Sequence, residues 1–192
     1  MSVYTTLSQM GQKRVATGIL KVTDASGNIL EQYSPDTRSA VRPEVAYLIT
    51  NILADNNART PSFGPNSLLN IPGYEVAVKT GTSDNKRDNW TFGYTPEYVV
   101  GVWVGNNDNS LMNPRLTSGV TGAAPIWNRI IHSLVDGKQA SHFQKPLGVV
   151  EATIDGRKDL AISEFVPKRT QGLLQATISA ITSIGIKKEI EN

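Results

Sequence analysis

Residues 77 to 90 read AVKTGTSDNKRDNW, and the eight from Lys79 to Lys86 carry three overlapping short patterns. Lys79-Thr80-Gly81 is a Lys-Thr-Gly, Ser83-Asp84-Asn85 is a Ser-x-Asn, and Ser83 to Lys86 is a Ser-x-x-Lys. Together such patterns serve acyl transfer through a serine. A hydroxyl with a lysine as proton acceptor attacks a carbonyl, a second hydroxyl relays protons, and fixed N–H donors take up the charge that develops on oxygen. A Lys-Thr-Gly alone is weak evidence, since it also describes any strand that ends in a lysine, a threonine and a turn glycine. Its surroundings decide how it is read.

Those surroundings are a sequence of 192 residues, long enough for one buried core with a small appendage. Hydrophobic residues make up 39% and charged residues 19%, the balance of a soluble globular chain. A net charge of +2, spread over scattered pairs such as Lys86-Arg87 and Lys187-Lys188, gives no argument for nucleic acid. There is no cysteine, which excludes disulfides and thiol chemistry. His132 and His142 have no partner at metal-ligand spacing, so no metal site is expected from them. The most apolar stretch, residues 172 to 186, is shorter than the ~20 residues a membrane helix needs. Residues 1 to 14 lack the apolar segment of a signal peptide, and no address or anchor is read from the chain.

Local patterns set the scaffold. Two β-rich runs flank Asp24-Ala25-Ser26-Gly27-Asn28 and predict a hairpin within residues 18 to 34. Residues 42 to 57 predict a helix with Pro43 at its first position, an apolar stripe of Val45, Leu48, Ile49, Ile52 and Leu53, and a left-handed end at Asn56 and Asn57. Residues 60 to 74 read as a Pro/Gly/Asn-rich loop. Three strands follow. Residues 74 to 80 carry Val76-Ala77-Val78, the mark of a strand covered on both faces. Residues 89 to 95 place Trp90, Phe92 and Tyr94 on one face, and residues 98 to 106 return after a Pro96-Glu97 turn. In that last strand Tyr98, Val100, Val102 and Val104 share a face, while Gly101 and Gly105 flank Trp103 on the other and leave room for a helix. That helix is expected over residues 122 to 137, burying Ile126, Trp127, Ile130, Ile131 and Leu134 and stopping at Gly137. Residues 148 to 165 predict a hairpin about Asp155-Gly156. Strands and helices in runs, joined by tight antiparallel turns, indicate an α+β domain.

In this setting the run VAVKTGTSDNKRDNWTFGYTPEYVVGVWVGNNDNSLM, continued by SGVTGAAPIW, resembles the C-terminal half of the transpeptidase domain of class A penicillin-binding proteins. These bifunctional enzymes polymerise and cross-link peptidoglycan. Residues 19 to 33, 45 to 56 and 63 to 73, and more weakly YTTLSQMG at residues 4 to 11, resemble the same family. The likeness runs from residue 4 to 136, fades through about 165 and is absent beyond. It implies part of a β-lactamase-like fold, antiparallel sheet strands flanked by helices, with the Lys-Thr-Gly strand beside the active site. On that resemblance Lys79 supplies positive charge near the nucleophile and the substrate's terminal carboxylate, which Thr80 and Thr82 hydrogen-bond. Gly81 leaves space for substrate, and the Thr82 backbone N–H is one of two oxyanion-hole donors. The strand edge pairs with the substrate backbone.

The same resemblance puts the nucleophile and the relay serine on elements upstream of the Lys-Thr-Gly strand. Ser83 is a poor substitute. It lies one residue past the strand end, beside the donor it would have to face, and Asn85 and Lys86 cannot both converge on it within one turn. Ser83 to Lys86 is therefore read as a polar turn, and Ser26-Gly27-Asn28 as a hairpin tip. The expectation is a transpeptidase portion over residues 1 to 136, a linker with a possible hairpin over 137 to 169, and a weakly structured or amphipathic tail over 170 to 192. The chain alone is expected to be inactive and marginally stable, because the first strands and the nucleophile helix of the domain would precede Met1. The implied function is a piece of a serine-type D-Ala-D-Ala transpeptidase that takes stem peptides and β-lactams, needs no metal or cofactor, and acts outside the cytoplasmic membrane. Two alternatives are a non-catalytic module that binds D-Ala-D-Ala peptides or complements a separate N-terminal half, and a fragment of a carboxypeptidase or β-lactamase.

Overall fold

The computed structural model describes residues 1–113, 118, 120–154 and 156–166. They fall in two compact units, Met1–Gln144 and Lys145–Asn192. The first opens on a short helix, α1 (Ser2–Ser8), and a strand, β1 (Gln12–Arg14). Gly11 between them has φ +92°, and a Cβ there would lie 2.0 Å from the Val41 carbonyl oxygen, so only glycine fits. β2 (Lys21–Thr23) and β3 (Ile29–Gln32) form the expected hairpin. Its tip is tied by the Asp24 carboxylate, which accepts from the Ser26 and Asn28 backbone N–H groups at 2.8 Å each. Hydrogen bonds from Asn28 are the main reason the Asp24 pKa lies below its ordinary value. β4 (Thr37–Ser39) returns to pair antiparallel with β1.

α2 (Pro43–Ala54) starts as expected, with Pro43 at its head. Its end and its buried face are corrections. Asn56 and Asn57 do not close it in a left-handed turn. Asp55 leaves the helical region (φ −70°, ψ 101°) and its side chain accepts from the Asn57 and Ala58 N–H groups, starting a new helix, α3 (Asn56–Phe63). Capping by Asp55 thus makes a helix of four residues, 60 to 63, that polar composition assigned to a loop. On α2 the buried residues are Ala46 and Thr50, with Tyr47, Leu53 and Ala54 packed against the core. Val45, Ile49 and Ile52 of the expected stripe point outward, Ile52 being 65% exposed. The small Ala46 and a buried polar link decide the orientation: the Thr50 and Tyr94 hydroxyls lie 3.0 Å apart, each fully buried.

Burial pushes the Tyr94 pKa up to about 12, opposed in part by the Thr50 hydrogen bond. The folded state therefore holds its phenolic proton to higher pH than the unfolded chain. This contribution is complete below pH 10.0, the ordinary tyrosine value, and is lost as pH rises through about 12. Over that window stability should fall by roughly 2–3 kcal/mol. Denaturant midpoints measured from pH 9 upward should show the fall, and Tyr94→Phe should flatten it.

The sheet consists of β5 (Ala77–Thr82), β6 (Asp88–Tyr94) and β7 (Val99–Gly105), antiparallel and in that order. The β6–β7 turn closes with the Thr95 N–H donating to the Tyr98 carbonyl at 2.9 Å. Trp90, Phe92 and Tyr94 share one face as expected, under α1 and α2, and Ala77 and Tyr94 join Phe143 in a small core there. The other face is covered by α4 (Ala123–Val135), whose Ala123, Ala124, Trp127, Ile131 and Val135 pack with Val78, Val100 and Val102. Two expectations change here. Ile126 and Ile130 stay exposed, so the buried stripe is centred on Trp127 and Ile131. The helix also lies on the valine face of β7. The glycine that admits it is Gly93, where a Cβ would fall 2.2 Å from the Trp127 ring. Gly101 and Gly105 instead clear space for the rings of Phe92 and Trp103.

The second unit carries β8 (Val149–Ile154) and β9 (Arg157–Ile162), paired antiparallel with Ile154 opposite Arg157. Gly156 in the connecting turn has φ +78°, as a two-residue hairpin demands. The helix expected within residues 170 to 192 lies outside the described residues, as does Asp155. Among the described residues no helix is long and apolar enough to cross a membrane.

Candidate functional site

β5 changes character along its length. Ala77 and Val78 are buried, one in each core, whereas Lys79, Gly81 and Thr82 are exposed. The strand is anchored in apolar packing at its start and presents polar groups at its end. Its register against β6 sets Lys79 opposite Phe92, Thr80 opposite Thr91, Gly81 opposite Trp90 and Thr82 opposite Asn89. Among the described residues no strand pairs with the outer edge of β5 or of β7.

Lys79, Thr80 and Gly81 line an open cavity of ≈ 410 Å³ together with Met1, Tyr4, Trp90 and Phe92. Its floor is an aromatic row. Tyr4 stacks on Phe92 with ring centres 4.8 Å apart and Trp90 lies 5.6 Å from Phe92; beyond the cavity the row continues to Trp103, 6.2 Å from Trp90. The Lys79 ammonium donates to the Thr80 carbonyl at 2.6 Å, with no carboxylate of the described residues paired to it. Gly81 has no local reason to be glycine. Its φ is not positive, and the nearest atom to an added Cβ is the Trp90 Cβ at 3.8 Å, an ordinary contact.

Ser83 is tied into the turn that follows. Its hydroxyl donates to the Asp88 carboxylate at 2.9 Å and accepts from the Asp88 N–H at 2.9 Å. Asn85 and Lys86 sit in that turn with φ 57° and 55°. The histidines each meet a carboxylate: His132 lies 2.9 Å from Asp136 and His142 3.1 Å from Glu75. Among the described residues no three His, Cys, Asp or Glu side chains gather as a metal site would require.

Two features were not legible from spacing. Tyr4 of α1 reaches the cavity across more than eighty residues of chain, with only its aromatic character as a signal. Asn89, fully buried, accepts the Ala123 N–H at 2.8 Å and so caps α4 from the middle of the sheet. A Cβ at Gly122 would lie 2.4 Å from the Asn89 side chain, which explains that glycine.

The first unit is thus a three-stranded antiparallel sheet packed by helices on both faces, its edge strand closing on Lys-Thr-Gly beside a cavity. No family model matches the chain. Among curated proteins it is 31% identical over 135 residues to penicillin-binding protein 1A of Clostridium botulinum strain Langeland, covering 70% of this chain and 16% of that protein. To penicillin-binding protein 1A/1B of Bacillus subtilis it is 34% identical over 137 residues, covering 64% of this chain and 14% of the relative. Among solved structures, penicillin-binding protein 1A from Haemophilus influenzae superposes with a TM-score of 0.70 at 21% identity, over 86% of this chain and 32% of that one. Penicillin-binding protein A from M. tuberculosis, solved as an imipenem acyl-enzyme complex, gives 0.53 at 22% identity, over 69% of this chain and 29% of that one. The chain is thus a relative of the class A penicillin-binding proteins and shares part of their α+β fold. It spans about a sixth of the length of the curated relatives.

Proposed function

We propose that residues 1 to 136 supply the substrate strand of a serine-type D-Ala-D-Ala transpeptidase, the activity that cross-links peptidoglycan and is blocked by penicillin. Lys79 attracts the terminal carboxylate of the stem peptide. The Thr80 and Thr82 hydroxyls hydrogen-bond it, and the Thr82 backbone N–H faces the oxygen of the attacked carbonyl. The substrate extends along the outer edge of β5 as an added strand. The nucleophile comes from a Ser-x-x-Lys outside these 192 residues. Such an enzyme works at the outer face of the bacterial cytoplasmic membrane and uses no metal or cofactor.

The observation that carries this reading is Gly81. Neither the backbone nor any neighbour among the described residues requires glycine there, yet the position opens on the cavity beside an ammonium that pairs with no carboxylate of those residues. Space kept clear at a strand end suits a ligand backbone that must approach closely. The test is binding of a stem peptide ending in D-Ala-D-Ala, followed by titration. Lys79→Ala should weaken binding by about tenfold or more, the loss of a charge-assisted hydrogen bond. No binding at millimolar peptide would remove the reading. Incubation with penicillin should leave the intact mass unchanged, and a stable adduct would overturn the view of Ser83 as a turn residue.

A second reading is a non-catalytic module that complements a separately supplied N-terminal half. The outward row of Val45, Ile49 and Ile52 and the open edge of β7 favour it. Co-expression with the N-terminal half of a related transpeptidase domain, and recovery of the pair as one complex, would distinguish it.

A further inference from the structure

We infer that Asp88 is a positioning residue for the Lys79–Thr82 strand end, acting through Ser83 on one side and Trp103 on the other. The inference rests on the reading of that strand as the carboxylate and oxyanion strand. After Thr82 the chain reverses within a 3-10 turn, Asp84–Lys86, in which Asn85 and Lys86 both occupy the left-handed region. Two consecutive non-glycine residues in that region oppose the turn, and the surrounding structure must hold it. The surroundings provide four hydrogen bonds centred on Asp88. The Ser83 N–H donates to the Asp88 carbonyl at 3.0 Å. The Asp88 N–H donates to the Ser83 hydroxyl at 2.9 Å, and that hydroxyl donates to Oδ2 at 2.9 Å. The Trp103 indole N–H donates to Oδ1 at 2.8 Å.

The carboxylate of this first residue of β6 therefore has one oxygen committed to the residue after Thr82 and the other to the neighbouring strand β7, so it links the two outer strands of the sheet. Gly105 shows that the fold makes room for this link. A Cβ there would lie 2.8 Å from Asp88 Oδ1 and 2.7 Å from the Trp103 ring, so a side chain would displace both partners. The same indole lies beside Trp90, which stands opposite Gly81. A continuous path then runs from β7 through Trp103, Asp88 and Ser83 to Thr82. A charged acceptor with two fixed donors holds direction better than a neutral turn would. Ser83 of the overlapping motif acquires a role here together with Asp88, two residues beyond the motif: they aim the donor strand without touching the reacting atoms.

Amide hydrogen exchange on the full isotope-labelled chain tests this. Asp88→Ala should raise exchange at Ser83, whose N–H donates to the Asp88 carbonyl, by about tenfold, the scale of one lost charge-assisted hydrogen bond. Core amides at Val78 and Thr91 should be unmoved. Asp88→Asn, which keeps the shape and restores part of the bonding, should fall between. Ser83→Ala and Trp103→Phe should each give part of the effect, and Ser83→Ala added to Asp88→Ala should give no more than Asp88→Ala alone. Exchange unchanged at Ser83, or raised equally throughout the sheet, would overturn the proposal. Peptide binding separates the two levels of the argument. If the parent chain binds a D-Ala-D-Ala peptide and Lys79→Ala abolishes it while Asp88→Ala leaves it intact, the positioning role is overturned and the substrate reading stands. If the exchange pattern appears but the parent chain binds no peptide, the hydrogen-bonded path is supported and the substrate reading falls.

Discussion

Trp127→Ala is expected to cost about 3–5 kcal/mol and to leave much of the first unit unfolded at room temperature, since domains of this size hold only about 5–15 kcal/mol in total. Trp127 is fully buried and touches both the strand cluster and the rest of α4. Its ring rests on the backbone of Gly93, which explains a second expectation. Gly93→Ala would set a methyl 2.2 Å from that ring, with buried atoms on every side, at a cost of about 1–3 kcal/mol or more. The two positions must couple. In the Gly93→Ala, Trp127→Phe double variant the smaller ring frees the space the methyl needs. Its denaturant midpoint should lie above the sum of the single losses. Strict additivity would show that the close approach of helix and sheet is not what fixes α4.

The second large effect concerns association. α2 turns Val45, Ile49 and Ile52 to solvent, β7 ends the sheet with an edge that no strand of the described residues pairs, and the β2–β3 hairpin exposes Leu20, Ile29 and Leu30. Apolar rows and open edges of this kind drive self-association when nothing covers them. The purified chain should therefore sediment as concentration-dependent oligomers and melt without a sharp transition. Substituting glutamine at positions 45, 49 and 52 together, which preserves helix propensity, should shift it toward monomer. The same variant should lose the capacity to pair with a separately expressed N-terminal half. A sharp cooperative melt of a monomeric parent chain would count against the idea that α2 is a contact face.

Much of the scaffold was legible because it is local. The hairpin tips at Asp24 to Asn28 and at Gly156, the Pro43 helix start and the alternation of β6 and β7 each depend on residues within a few positions of one another. The Lys-Thr-Gly strand was legible from its apolar triplet for the same reason, although its bounds moved: expected over residues 74 to 80, it runs Ala77–Thr82. What failed was direction. α2 is apolar around most of its circumference, and its buried side was settled by the contact of Thr50 with Tyr94, 44 residues away. Likewise Gly101 and Gly105 were sound markers of close packing, but their partners were rings of their own sheet. The cap on α4 comes from Asn89, 34 residues earlier, and no pattern at the helix start announces it. At the candidate site the strand could be read from letters, whereas the aromatic floor from Tyr4 and the ties on Asp88 exist only in three dimensions.

The half-buried, half-exposed build of β5 has one more consequence, for fidelity of assembly. Because side chains alternate between faces, a slip of one residue against β6 would drive Lys79 toward the Trp127 core and lift Val78 out of it. An ammonium forced into that apolar layer would be heavily penalised, so the mispaired sheet has no means of persisting. Lys79 thus also acts during folding as a proofreading mark, rejecting a sheet in which the end of β5 has been set one notch out of place.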